Sequence, residues 1–197
     1  DRHVEDWKRI LAQSVVKPKD LAERLGVDPK EIEDIVGDYP MRITPTVLAT
    51  IKEKGDAIWK QVVPDRAEMA DADAEDDPLE EDLMSPVPHL VHRYPDRVLL
   101  MVTNQCPIYC RFCTRKRLVG KPGFLKKGEL DRAIAYLQEH QEVRDVIAKV
   151  PADRRERTER IARELRGVRD ITLALHISVV GETVAPFRNS RIVRVLK

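Results

Sequence analysis

The sequence predicts an α/β protein in which a helical region precedes a parallel sheet. Three observations support this prediction. Helix-start signals fill the first third of the chain, an acidic stretch follows it, and three apolar runs alternate with two amphipathic segments in the second half. A strand–helix–strand–helix–strand order favours a parallel sheet with right-handed crossovers.

Composition excludes two classes of function. The 197 residues include 35 basic and 34 acidic side chains, a net charge of +1, so overall charge gives no basis for binding a polyanion. The longest mostly apolar stretch, 171–180, contains a histidine and is too short to cross a bilayer, and no basic-then-apolar signal opens the chain. We therefore expect a cytoplasmic protein of one domain, or one domain plus an appendage, that binds neither membrane nor nucleic acid.

Residues 1–64 are predicted to be a helical region. Asp28 is a suitable N-cap, Pro29 suits the first helical position, and Glu31 can complete a capping box. Gly37 fits the C-terminal stop of this helix. Its apolar stripe consists of Ile32, Ile35 and Val36.

This helix and the segment before it have a helix–turn–helix outline around Gly26. A DNA-reading helix needs basic and hydrogen-bonding side chains. Here Lys30 is outnumbered by acidic residues, namely Glu31, Glu33, Asp34 and Asp38. The outline therefore favours a helical packing module over a DNA-binding one.

Residues 65–84 are predicted to be an acidic linker. The stretch 65–82 contains ten acidic residues and one arginine, a net charge of −9. Runs of this kind are usually solvated and poorly ordered, and we expect the same here. The Ser85-Pro86-Val87-Pro88 segment that follows is expected to be extended, because proline disfavours helix in the residue before it.

Residues 85–197 contain the predicted sheet. A continuous apolar run predicts a buried strand at 98–103, and two further strands are predicted at 145–150 and 171–180. Helices are predicted at 129–140 and 153–166, because each has apolar residues on one face.

The three cysteines of the chain lie together in a polar loop after the first parallel strand. Cys106, Cys110 and Cys113 have C-x3-C-x2-C spacing, which points to metal in a reducing compartment. Loops at the carboxyl ends of parallel strands are also where α/β proteins place their chemistry. Two centres stay open on these residues alone. One is structural zinc completed by His89 or His92, and the other is an iron–sulfur cluster in which one iron lacks a protein ligand.

The wider sequence resembles the lysine 2,3-aminomutase family of radical S-adenosylmethionine enzymes over roughly residues 5–147. The resemblance rests on the cysteine spacing with an aromatic residue before the last cysteine, and on the segments 42–45, 77–79, 85–88, 92–97, 103–117 and 130–147.

The resemblance implies a partial (β/α) radical S-adenosylmethionine barrel and an isomerase that moves an amino group between neighbouring carbons, with L-lysine as the leading substrate. The implied cofactors are a [4Fe–4S] cluster, S-adenosylmethionine and pyridoxal 5′-phosphate, and the implied partner is a flavodoxin- or ferredoxin-type electron donor. By position in the family motif, the three cysteines would hold the cluster, Arg93 and Arg97 would contact the pyridoxal phosphate, Phe112 would lie near the adenosyl group, and Arg115 would bind the substrate carboxylate. A homo-oligomer built through the N-terminal helices stays open.

The chain departs from the family pattern after Ile147. The family continues with Ser-Gly-Gly-Asp, whereas this chain has the segment 148–153, in which Val150 and Pro151 cannot replace backbone that approaches a ligand closely. The lysine that binds pyridoxal phosphate lies beyond Lys197 in that family. We therefore expect a truncation or reading-frame disruption after Ile147, no catalytic residue within the chain, and no turnover by the chain alone. The alternative is a non-catalytic metal-binding protein, either a structural zinc module or an iron–sulfur sensor.

Overall fold

The computed structural model describes residues 9–70, 74–151, 155–166, 168 and 172–178. The chain divides into two compact units. Of the described residues, unit 1 contains those up to Pro78 together with Cys106–Lys121, and unit 2 contains Leu79–Gln105 and those from Pro122 onward.

Unit 1 is helical, as the sequence predicts for residues 1–64. After a short helical segment at 9–12, five helices follow: α1 (Pro18–Leu25), α2 (Pro29–Asp38), α3 (Pro45–Leu48), α4 (Ala57–Val62) and α5 (Ala67–Ala70). Side-chain caps start three of them, because Asp28, Thr44 and Asp56 each accept a backbone N–H of the following helix. Apolar residues of these helices and of the segments between them form one core that includes Leu21, Ile35, Met41, Ile43 and Val62.

The two glycines of the helix–turn–helix outline behave differently. Gly26 ends α1 with φ of 67°, the left-handed conformation that glycine adopts without a Cβ penalty. Gly37 does not end α2, and that prediction is wrong. The helix continues to Asp38, and Tyr39 follows it in extended conformation with φ of −123°. Asp38 is therefore helical, although the sequence predicted that the helix stops at Gly37.

The described residues of unit 2 form a four-stranded sheet whose strands lie side by side in chain order. Its strands are β1 (Leu90–Tyr94), β2 (Arg97–Met101), β3 (Asp145–Pro151) and β4 (Thr172–Ser178). Strands β2, β3 and β4 are parallel, and β2 begins its register with Arg97 opposite Asp145. The crossovers contain α6 (Lys127–Glu139) and α7 (Arg155–Arg166). The predicted parallel α/β arrangement is therefore confirmed for the described strands.

The sequence did not predict β1. This strand pairs antiparallel with β2, and its last residues, Arg93 and Tyr94, are exposed. The reason is physical, because a half-exposed edge strand lacks the continuous apolar run that marks a strand buried on both faces. The core of unit 2 lies between the sheet and the helices and includes Leu90, Leu100, Leu137, Val146 and Ile161.

Strand β3 continues through the segment where the resemblance breaks down. Ala148 is fully buried in the core of unit 2, and the pairing of β3 with β4 extends to Pro151 opposite Ser178. This chain therefore has regular strand where the family pattern has a glycine pair. The start of the predicted second helix at Asp153 and the ends of the predicted third strand at Ile171, Val179 and Val180 lie outside the described residues.

The acidic stretch is more structured than predicted. Residues 67–70 form α5, and the side chains of Glu68 and Asp77 are only 13% and 19% exposed. Glu81 is 4% exposed. The prediction of a solvated, poorly ordered run is therefore wrong at these three residues, because basic partners in unit 1 hold two of them. Residues 71–73 of the stretch lie outside the described ones, and the boundaries at 65 and 84 stay a prediction.

No helix within the described ranges combines the length and the apolar character that a membrane crossing requires.

Candidate functional site

The three cysteines occupy one turn-rich loop of unit 1. Cys106, Cys110 and Cys113 are free thiols, and each is half-buried. The backbone N–H of Cys113 donates to the carbonyl oxygen of Cys110 at 3.2 Å, which closes a turn between the last two cysteines. One short loop therefore carries all three thiols, and a turn joins the last two cysteines.

The thiols influence one another electrostatically. Burial raises the pKa of Cys110, and the nearby Cys113 and Cys106 raise it further. Thiolates at these positions would repel one another, so a nearby cation would favour their ionised form.

The arrangement does not match a site for a single metal ion. Among the described residues, no three His, Cys, Asp or Glu side chains form a group that could hold one ion. The zinc ligands that the sequence left open are engaged elsewhere in unit 2, where His89 Nε2 lies 3.7 Å from a Glu129 oxygen and His92 Nδ1 lies 2.6 Å from the Tyr136 hydroxyl. Within the described part of the chain, neither histidine therefore forms a three-residue metal group with the cysteines.

The backbone of the cysteine loop is anchored to the helical part of unit 1. Tyr109 donates its N–H to the carbonyl of Arg42 at 3.0 Å, and Arg111 donates its N–H to the carbonyl of Gln61 at 2.8 Å. Tyr109 and Arg111 are both buried. The loop is thus fixed on either side of Cys110.

Arg111 fastens the loop a second time through its side chain. Its guanidinium is 5% exposed and forms a two-pronged contact with Glu68, with Nε at 2.9 and 3.1 Å and Nη2 at 2.7 Å from the carboxylate oxygens. Its Nη1 donates to the carbonyls of Tyr39 and Pro40 at 3.4 and 3.2 Å. A planar fork of this kind suits arginine and not lysine.

Glu68 accepts from a second cation of the same loop. Lys116 donates its ammonium to the Glu68 carboxylate and lies 4.5 Å from the centre of the Tyr39 ring. Burial alone would raise the pKa of Glu68, but the hydrogen bonds from Arg111 and Lys116 outweigh burial and lower the pKa below its ordinary value. Glu68 therefore stays ionised and bridges two residues of the cysteine loop.

Arg42 contacts the other end of the loop. Its Nη1 donates to the carbonyl of Cys106 at 3.4 Å, and its guanidinium lies 5.1 Å from the centre of the Tyr109 ring. Gly120 completes this corner with φ of 84°, and a Cβ there would lie 2.6 Å from a Tyr109 ring carbon. The close approach of the Tyr109 ring thus requires glycine at this position.

The remaining predicted residues of the loop are placed as follows. Phe112 is 67% exposed and lines a cavity of about 290 Å³ with Trp59, Lys60 and Arg111. Arg115 is half-buried, and its carbonyl accepts the N–H groups of Leu118 and Val119. Both residues therefore share unit 1 with the cysteines.

Arg93 and Arg97 lie in unit 2 and have protein partners there. Arg93 is exposed and donates to the carbonyl of Leu79 at 2.5 Å. Arg97 lies 3.3 Å from a carboxylate oxygen of Asp96 and 3.9 Å from one of Asp145, and the hydrogen bond with Asp96 raises the pKa of Arg97. These contacts engage only part of the five N–H donors of each guanidinium.

Sequence reasoning missed Glu68 and Arg42 as parts of the site. Glu68 lies 38 positions before Cys106, in a run where ten acidic residues look alike. The basic residues of the cysteine loop could have indicated such a partner. Five of them lie between positions 111 and 121, and any that is buried needs an anionic partner.

Comparison with known proteins gives matches to aminomutases, and no family model matches the chain. L-Lysine 2,3-aminomutase of Acetoanaerobium sticklandii is 39% identical over 149 residues, which is 72% of this chain and 36% of that protein. L-Lysine 2,3-aminomutase of Clostridium subterminale is 38% identical with the same coverage. Glutamate 2,3-aminomutase of Clostridioides difficile is 30% identical over 152 residues, 73% of this chain and 36% of that protein. The chain thus spans about a third of the length of the curated relatives it matches.

Proposed function

Because the chain belongs, over the matched stretch, to the lysine 2,3-aminomutase family, we propose that it contributes the cluster-binding part of an amino-acid 2,3-aminomutase. The relatives are named as isomerases of lysine or glutamate, and the proposal transfers that reaction class to this chain. The described parallel strands β2, β3 and β4 with α6 and α7 would then be the first part of a (β/α) barrel.

The observation that carries the proposal is the extent of the match. A match over 72% of a 197-residue chain has to include the middle of the chain, so it includes the cysteine loop. The similarity therefore extends to the residues that would carry the chemistry, and it is not confined to a packing module.

The proposed cofactors are a [4Fe–4S] cluster, S-adenosylmethionine and pyridoxal 5′-phosphate. Cys106, Cys110 and Cys113 would hold the cluster, a role supported by their half-buried, mutually interacting thiols. With three protein ligands in place of the usual four, one iron keeps an open position for another ligand. When bound, the cluster with S-adenosylmethionine supplies one-electron radical chemistry, and pyridoxal phosphate engages the amino group that moves.

Four other residues receive proposed binding roles. Phe112 would stack near the adenosyl group, which its exposed ring permits. Arg115 would bind the substrate carboxylate, a task suited to a planar two-pronged donor. Arg93 and Arg97 would bind the phosphate of pyridoxal phosphate through their remaining N–H donors.

L-Lysine is the leading proposed substrate. The lysine enzymes of A. sticklandii and C. subterminale are 39% and 38% identical to this chain, whereas the glutamate enzyme and the lysine enzyme of Haemophilus influenzae are each 30% identical. The proposed partner is a flavodoxin- or ferredoxin-type electron donor, because the cluster has to be reduced before it can start radical chemistry.

The test is anaerobic reconstitution of the purified chain with iron and sulfide. We expect the absorption and the paramagnetic signal of a reduced [4Fe–4S] cluster, and we expect Cys110→Ala to abolish both, because two thiolates cannot retain the cluster. Thr114→Ala is the matched control, since Thr114 is an exposed residue of the same loop and carries no thiol.

Two outcomes would contradict the proposal. The first is tight, stoichiometric binding of zinc with no uptake of iron, which would identify a non-catalytic zinc module. The second is a cluster signal that Cys110→Ala leaves unchanged.

A further inference from the structure

We propose that Glu68 is a positioning residue that clamps the cysteine loop in the geometry needed for cluster binding. The inference rests on the proposed function for the identity of the cluster, but the clamp itself is a feature of the metal-free chain. The relatives are named for their reaction, and those names give Glu68 no role. The composition of the acidic stretch does not distinguish Glu68 from its neighbours either.

The geometry around Arg111 supports this role of Glu68. Arg111 lies between Cys110 and Cys113, and its guanidinium is almost completely removed from solvent. Glu68 satisfies the Nε and Nη2 edge of that guanidinium, and the carbonyls of Tyr39 and Pro40 satisfy Nη1. The orientation of the residue between two ligand cysteines is therefore set mainly by one carboxylate.

Glu68 contacts the cysteine loop at two points. Lys116 lies three residues after Cys113 and donates to the same carboxylate. Glu68 thus contacts the cysteine loop on both sides of Cys113, through Arg111 before it and Lys116 after it. A carboxylate that bridges these two points restrains the turn that Cys113 closes with Cys110.

The negative charge of Glu68 also supports this role. The guanidinium of Arg111 is 5% exposed, and a buried cation without a counter-ion is strongly disfavoured. Glu68 offsets the charge of Arg111 and Lys116 next to the proposed cluster. Loss of this anion would leave two cations beside a group that gains negative charge on reduction, and would therefore make reduction easier.

The clamp is tested first in the metal-free chain, by alkylation of the thiols with iodoacetamide and site-resolved mass spectrometry. We expect Glu68→Gln to raise the labelling rates of Cys110 and Cys113 several-fold, because the loop opens when Arg111 loses its counter-ion. Glu75→Gln is the matched control, since it removes the same charge from an exposed position of the same acidic stretch. We expect it to leave the labelling rates unchanged.

A second variant keeps the test decisive if Glu68→Gln fails to fold, as judged by far-UV circular dichroism. Glu68→Asp retains the charge but shortens the side chain by one methylene, so it cannot span both cations equally well. We expect it to give an intermediate labelling rate at unchanged helical content. Wild-type labelling rates in a folded Glu68→Gln variant, or in Glu68→Asp if that variant alone folds, would overturn the proposal.

The role toward the cluster is tested by the midpoint potential of the reconstituted chain. We expect a positive shift in Glu68→Gln and a potential near that of the wild type in Glu68→Asp, which keeps the anion. If Glu68 acted only through structure, the midpoint potential would not depend on whether the variant keeps the negative charge. Equal potentials in Glu68→Gln and Glu68→Asp would therefore contradict the electrostatic effect of Glu68 on the cluster. Failure of the wild-type chain to take up a cluster would defeat the proposed function, whereas the labelling experiment would still decide whether the clamp exists.

Discussion

At the scale of single residues, the cysteine loop depends on side chains that the cysteine motif does not contain. Arg111 is part of the motif string, but its burial follows from Glu68, which lies in a different segment. Gly120 is a similar case. Its φ of 84° and its distance to Tyr109 show that the loop closes back onto its own aromatic residue.

Replacement of Gly120 by alanine is expected to destabilise unit 1. The new Cβ would lie 2.6 Å from a Tyr109 ring carbon and would occupy a left-handed conformation. We expect a loss of about 1–3 kcal/mol of unfolding free energy, measured by urea titration. Gly128→Ala is the control, because Gly128 lies in helix α6 with open space around it. It should gain up to about 1 kcal/mol, and an equal loss in both variants would show that contact with Tyr109 is not the cause.

At the scale of elements, the helices of unit 1 are short and depend on their caps. Asp28 accepts one backbone N–H, that of Lys30 at 3.0 Å. Asp56 accepts three, from Trp59 at 2.7 Å, Lys52 at 2.8 Å and Glu53 at 3.4 Å. These backbone hydrogen bonds, that of Trp59 foremost, lower the pKa of Asp56.

The two caps are expected to differ in their contribution to stability. Asp28→Ala should cost about 1 kcal/mol of unfolding free energy, the usual value for a lost N-cap. Asp56→Ala should cost more, because it leaves the N–H groups of Lys52, Glu53 and Trp59 without their acceptor. Thermal unfolding of the two variants followed by circular dichroism gives the comparison. A smaller decrease in midpoint temperature for Asp56→Ala than for Asp28→Ala would contradict it.

Strand prediction succeeded for elements with buried faces and failed for the edge. The strands predicted at 98–103 and 145–150 correspond to β2, which ends at Met101, and to β3, which continues to Pro151. The continuous apolar run that starts at Val98 is what a strand covered on both faces requires. Strand β1 ends in exposed polar residues, so no such run marks it. Periodicity also placed α6 and α7 within a few residues of their observed bounds.

At the scale of the whole molecule, the described residues form two apolar cores, one in each unit. Ile35 is 2% exposed in the core of unit 1, and Leu137 is fully buried in the core of unit 2. The cysteine loop is assigned to unit 1, although the chain enters it directly from strand β2 of unit 2. Protection of the thiols should therefore follow the stability of unit 1.

Truncation of each core provides the test. Ile35→Ala and Leu137→Ala should each cost about 2–5 kcal/mol, the range for large-to-small changes at buried positions. We expect Ile35→Ala to accelerate alkylation of the three cysteines more than Leu137→Ala does, because no cysteine belongs to unit 2. Equal acceleration by the two variants, at matched losses of unfolding free energy, would show that the loop does not depend on unit 1 in particular.

The sequence by itself determined the α/β class, the parallel strand order, the N-terminal helices and the three thiols, because hydrophobic periodicity, capping residues and cysteine spacing are local signals. The resemblance over residues 5–147 was likewise recognisable from the sequence motifs alone. Only the tertiary structure decided which acidic residue of a uniform run pairs with Arg111, that the cysteine loop is anchored to the helical unit, and that β3 continues through Ala148. The physical reason is that partner choice among equivalent charges depends on burial and distance between segments far apart in sequence, and neither quantity is encoded in local pattern.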